Sequence, residues 1–97
     1  MEVKFLKFFQ KNFIKMVNSN NQSVEEFKNV MYLLLNKKAL PDKYNERYLK
    51  GLYSDTKRCE VIPNWIMTFR YEYEQNISHM EYLLLINIKK IDLGEEI

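Results

Sequence analysis

Glycine and proline are scarce, two of each in 97 residues. That leaves little material for linkers, and no segment has the biased composition of a disordered tail, so one ordered domain over residues 1–97 is expected. A single cysteine, Cys59, excludes an internal disulfide, and with one histidine, His79, a zinc site would lack ligands. No glycine-rich loop exists to cradle a nucleotide phosphate, so neither metal nor cofactor is expected. Long apolar runs are also missing. Tyr32 to Leu35 and Tyr82 to Ile86 fall far short of the roughly 20 residues that cross a bilayer, which argues against a membrane role. Lysines interrupt EVKFLKFFQKNFIKMV, where a signal peptide needs an unbroken apolar core, and a cytoplasmic protein is expected. The Asn76-Ile77-Ser78 triplet fits a glycosylation acceptor but lacks a secretory context.

What the chain does hold is a 46% hydrophobic content and a polarised charge. Residues 1–50 carry ten Lys/Arg against five Asp/Glu, and residues 51–97 carry five against eight. A basic half is compatible with a nucleic acid or an acidic protein as partner, although lysines on a helix face are more often just a solvated surface.

The period of the apolar residues changes along the chain. Glu2 to Lys7 alternates briefly, predicting a short strand that feeds a helix containing Phe9, Phe13, Met16 and Val17. The polar run Asn18 to Gln22 ends it. Ser23 and Glu26 have the spacing of a capping box, after which Val24, Phe27, Val30, Met31, Leu34 and Leu35 form an apolar stripe. Lys37, Lys38 and Pro41 close this second helix. Beyond it, Leu49 to Tyr53, Lys57 to Ile62, Trp65 to Glu74 and Met80 to Ile88 read as strands, with Tyr82 to Ile86 inside the sheet. Pro63-Asn64 suits a type I turn. The expected architecture is α+β, a helical hairpin packed on a small, mostly antiparallel sheet whose other face is open for binding.

The segment LPDKYNERYLKGLYSDTKRCEVIPNWIMTFRY resembles the RelE/ParE superfamily of bacterial toxins, most closely the YafQ-like branch. Leu40, Pro41, Tyr44, Leu49, Gly51, Cys59, Pro63 and Trp65 match that branch in order and nearly in spacing. The resemblance implies a RelE-like fold and a metal-independent, ribosome-dependent mRNA endonuclease held inactive by a cognate antitoxin. Such an enzyme drives a ribose 2′-oxygen onto the adjacent phosphate, which calls for a proton acceptor, charge stabilisation and a donor to the leaving oxygen. The sequence departs from the branch where this chemistry lies. Glu46-Arg47 replaces the Asp-His pair, Glu60 the strand histidine and Asn64 the aspartate of Pro-Asp-Trp, and no histidine falls near Ile91.

Without those histidines, the resemblance to other RelE-like toxins implies a site of cations and a phenol. Glu60, Arg47, Arg70 and Tyr71 (or Tyr73) are the candidate catalytic residues, and Lys50, Lys57, Arg58, Trp65, Lys89 and Lys90 the candidate RNA contacts. Each has a plainer reading. Glu60 can be a strand glutamate paired with Arg58 or Arg70, Asn64 a turn former, Trp65 with Met67 and Phe69 ordinary core, and Lys89 and Lys90 a counterweight to the acidic tail Asp92 to Glu96. His79 is expected at the surface of the far hairpin turn. Direct opposition across the Pro63-Asn64 turn would put Arg58 on the face of Phe69 and Glu60 on that of Met67, whereas a bulge would change the faces. The expected partners are an antitoxin, the ribosome and mRNA. The alternatives are a RelE-fold module without nuclease activity that binds RNA, ribosome or a regulatory protein, and a gyrase-directed toxin of the ParE kind.

Overall fold

The computed structural model describes residues 1–51, 55–74 and 80–91. The expectations placed on Leu52 and Tyr53, Asn76 to Ser78, His79 and the acidic tail lie outside these residues. Strand β1 (Glu2–Phe5) leads into helix α1 (Lys7–Ser19), and α2 (Ser23–Leu35) follows after a short polar turn. A 3-10 turn (Asp42–Tyr44) then precedes β2 (Arg47–Tyr48), β3 (Lys57–Ile62), β4 (Trp65–Tyr73) and β5 (Glu81–Lys90). Of the strand expected over Leu49 to Tyr53, the described residues Leu49 to Gly51 lie outside any strand, and the two-residue β2 begins two residues earlier.

The sheet order is β1-β5-β4-β3-β2, with β5 inside it as its doubly apolar run predicts. The β2-β3-β4-β5 portion is antiparallel, and β1 joins the outer side of β5 in parallel. Parallel pairing needs a crossover, and the helical hairpin between β1 and β2 supplies it.

Both helices cover one face of the sheet. Phe9 and Met16 of α1 and Val30 and Leu34 of α2 meet Cys59, Val61, Met67, Phe69, Leu83, Leu85 and Ile88 in one core. Burial pushes the Cys59 thiol up to about 12, so it is packing and no nucleophile near neutral pH. Among the described residues, no helix is long and apolar enough to cross a membrane.

The capping box expected at Ser23 is not formed. The Ser23 hydroxyl donates to the Asn20 carbonyl at 2.7 Å, and Asn20 Oδ1 accepts from the Gln22 N–H at 2.8 Å. Glu26 turns away to accept the Tyr44 hydroxyl at 2.6 Å and pairs with Lys43 at 3.3 Å. Tertiary partners have outbid the local cap.

Candidate RNA-binding face

Two irregularities decide which side chains reach the face away from the helices. Asn64 has φ +71°, which belongs to the third position of a type II turn and not to the type I turn expected. Val61 is an extra residue in β3, so that Glu60 opposes Ile66 while Ile62 opposes Trp65. Val61 and Ile62 therefore both point into the core, as neighbours in a bulge can. The second irregularity sits in β5, where Thr68 opposes Asn87 and Phe69 opposes Leu85, leaving Ile86 as the extra residue.

The first bulge reverses the faces that direct opposition would give. Arg58 lies opposite Thr68, and Glu60 opposite Ile66. Cross-strand partners share a face. Arg47 opposes Arg58, Lys89 opposes Ile66, and Arg70 follows two residues after Thr68. Arg47, Arg58, Glu60, Arg70 and Lys89 thus stand together on the side of the sheet away from the helices.

Their surroundings differ. Glu60 is held at both oxygens: Asn45 Nδ2 donates to Oε1 at 3.0 Å, and the Asn64 N–H donates to Oε2 at 3.1 Å. Asn45 adopts φ +49°, a left-handed conformation that asparagine tolerates. The carboxylate therefore ties the loop before β2 to the β3-β4 turn. Neither Arg58 nor Arg70 is its hydrogen-bond donor in this arrangement. Arg70 pairs with Glu72 on its own strand. Arg58 is 7% exposed, whereas Arg47 and Lys89 are exposed. Arg70 lies four residues along β4 from Ile66, or about 13 Å at the rise of a strand. The site is thus a row and not a point, with Glu60 and Lys89 toward one end and Arg70 toward the other.

The remaining candidates fall elsewhere. Tyr71 is on the helix-covered side, where its hydroxyl donates to the Leu34 carbonyl at 2.6 Å. Burial, and then the charges of Glu46 and Glu81, push that phenol above its ordinary range. Trp65 is 7% exposed and belongs to the core, so it offers no ring for stacking. Lys57 opposes Phe69, sits 4.7 Å from the Tyr48 ring and pairs with Glu46 at 3.3 Å. Lys90 opposes Trp65, which puts it on the helix side of β5, exposed at the strand end. Lys50 is exposed after β2. Tyr73 is exposed at the far end of β4, on the same side as Tyr71.

Two residues outside the candidate catalytic and RNA-contact sets lie beside the site. Asn45 orients Glu60, and Glu46 braces the approach to β2 by accepting the Leu40 N–H at 3.2 Å. For Asn45 the sequence signal was the taste of asparagine for left-handed backbone, and for Glu46 its place at the aspartate of the branch's Asp-His pair. Among the described residues no cluster of His, Cys, Asp and Glu could hold a metal ion.

Comparison with solved structures finds the same architecture in bacterial toxins. A metal-bound toxin from Helicobacter pylori superposes with a TM-score of 0.73 at 21% identity, covering 93% of each chain. YafQ from E. coli gives 0.68 at 19%, covering 92% of this chain and 91% of its own. A YoeB/ParE toxin from Agrobacterium tumefaciens gives 0.71 at 10%, covering 95% of this chain and all of its own. At such identities the likeness is one of fold. A search of curated protein sequences returns no significant match. A family model for the YafQ bacterial toxin of type II toxin-antitoxin systems, however, matches residues 1–88. The chain belongs to the YafQ family of type II toxins.

Proposed function

We propose that the protein is a metal-independent mRNA endonuclease acting at the ribosome, restrained by an antitoxin as in the DinJ-YafQ complex of E. coli. The observation that supports this most is the direct opposition of Arg47 and Arg58 on the face away from the helices, with Glu60 next along β3. Two guanidinium groups facing each other across strands concentrate positive charge on that side of the sheet. A backbone phosphate is the kind of anion such charge attracts. Buried Arg58 supplies fixed positive charge beneath it, and exposed Arg47 contacts it directly.

Glu60, oriented by Asn45 and the Asn64 N–H, is the base that takes the proton from the ribose 2′-hydroxyl. The 2′-oxygen then attacks phosphorus, the bond to the 5′-oxygen breaks, and a 2′,3′-cyclic phosphate and a 5′-hydroxyl result. Arginine is a poor donor to the departing oxygen because it stays charged. Lys89, aligned with Glu60 across Ile66, takes that role in place of Tyr71. Arg70 extends the positive row along the strand.

Expression of the wild-type chain in a bacterium should arrest growth and create new mRNA 5′ ends. Glu60→Gln should lower cleavage by about 10²–10⁴-fold, the usual contribution of a general base. Absence of arrest and of new ends would remove the nuclease. The binding module would then stand, favoured by the engagement of both Glu60 oxygens in bonds that tie loops together. DNA damage with intact mRNA would point to gyrase.

A further inference from the structure

Strand β1 forms one edge of the sheet. The Leu6 N–H donates to the Leu85 carbonyl at 3.1 Å. Successive strand residues aim their polar backbone groups at alternate edges, so Glu2 and Lys4 also face β5, while the N–H and C=O groups of Val3 and Phe5 face outward. Such a row of outward donors and acceptors is a template for another strand. The side chains alternate as well. Val3 opposes buried Leu83, which puts Val3 and Phe5 on the helix side and Glu2 and Lys4 on the other. Phe5 is 49% exposed, as is Met1 just before the strand.

A lysine on an edge ordinarily discourages pairing. Here Glu2 stands two residues away on the same face, and the charge becomes self-complementary. Two copies can join antiparallel edges about a two-fold axis perpendicular to the sheet, and residues of one face then oppose each other. The axis must pass through a residue: Glu2, Val3 or Lys4 if the pairing is to span the strand. Centred on Glu2 it sets that carboxylate against itself, and centred on Lys4 it does the same to the ammonium. Centred on Val3 it sets Glu2 of each copy opposite Lys4 of the other. This register makes Val3 a hydrogen-bonded pair and leaves Glu2 and Lys4 in a non-hydrogen-bonded one, where side chains lie closest. Phe5 then opposes Met1 on the helix side.

We infer that the β1 edge joins two copies of this chain into a two-fold dimer centred on Val3. Lys4 pairs with Glu74 at 2.8 Å and sits 4.3 Å from the Tyr82 ring. In the dimer its ammonium lies between Glu74 of its own chain and Glu2 of the second copy. The pair with Glu74 is exposed and weak, so it does not compete strongly for the lysine. The axis keeps each sheet face on its own side. Both rows of Arg47, Arg58 and Glu60 therefore look the same way, their β3 strands seven strand spacings, or roughly 34 Å, apart. A seam this short is smaller than a standard interface, so the dimer is reversible.

Sedimentation equilibrium of the full chain from about 10 μM to about 1 mM reads the association. The wild type should dimerise within that range, and the amides of Val3 and Phe5 should gain exchange protection as concentration rises. Glu2→Lys and Lys4→Glu, both at solvent-accessible positions, should each weaken the dimer about tenfold or more, because each turns two attractive pairs into two repulsive ones. An equimolar mixture of the two variants should recover the wild-type affinity to within about threefold, since both pairs across the mixed seam are attractive again. The mixture also controls for folding, as two misfolded chains would not restore each other. A wild type that stays monomeric at about 1 mM, a dimer indifferent to both substitutions, or a mixture no tighter than either variant alone would each overturn the inference. An edge kept for a different chain would give the first of these results. The readout is association and not cleavage, so its failure is separate from failure of the nuclease.

Discussion

The Tyr44 hydroxyl, buried at 2% exposure, donates to Glu26 at 2.6 Å and so fastens the 3-10 turn to α2. That bond, helped by Lys43, holds the Glu26 carboxyl below its ordinary 4.5, while burial and the same bond push the Tyr44 phenol up. A depressed carboxyl stabilises the fold above its unfolded pKa, and this stabilisation is lost as pH falls through the folded value. Tyr44→Phe should therefore cost about 1 kcal/mol at pH 7, with solvent screening keeping it near that figure. The deficit should shrink as the pH falls below the ordinary carboxyl value and through the lower one at which folded Glu26 protonates. Urea denaturation of both proteins at pH 7 and pH 3.5 measures it, and an equal deficit at both would disprove the assignment. Sequence spacing pointed Glu26 at its own helix terminus, since local spacing carries no information about Tyr44 eighteen residues away. Glu60 differed in that its place on the strand was legible, while its two donors depended on the left-handed Asn45 and on the turn geometry at Asn64.

At the level of elements, α2 ends in a Schellman arrangement. The Lys38 N–H donates to the Leu33 carbonyl at 2.9 Å and the Lys37 N–H to that of Leu34 at 3.1 Å, with Lys37 at φ +54°. Glycine normally holds this position, because an L side chain in left-handed backbone costs roughly 1–2 kcal/mol. Lys37 also pairs with Glu81, yet an exposed ion pair of this kind contributes at most about 1 kcal/mol. Lys37→Gly should leave stability unchanged or raise it by up to about 1 kcal/mol, as thermal or urea unfolding will show. A clear loss would mean that the Glu81 contact outweighs backbone strain. Helix limits and the strands β3, β4 and β5 were readable from apolar period and turn residues. The bulge at Val61 was not. One inserted residue exchanges the two faces of β3, and alternation alone cannot reveal it because Val61 and Ile62 are equally apolar.

Across the whole molecule, the hairpin chain β3-β4-β5 follows from short turns, but the parallel seat of β1 beside β5 does not. Its four residues look the same whether they pair or simply precede a helix. The sheet also separates the arginines and Glu60 on the side away from the helices from the apolar core on the other. Val3 pairs with Leu83 and Phe5 with Leu85, about eighty residues downstream. Closing so long a loop is entropically costly and must await the last strand. In refolding, the amides of β1 should gain protection no earlier than those of Leu83 to Leu85, which pulsed hydrogen exchange resolves. During synthesis the first strand therefore emerges long before its mate, and a chain still being translated holds an unclosed sheet. Its poison, on this account, is assembled only when translation of the strand Glu81–Lys90 is done.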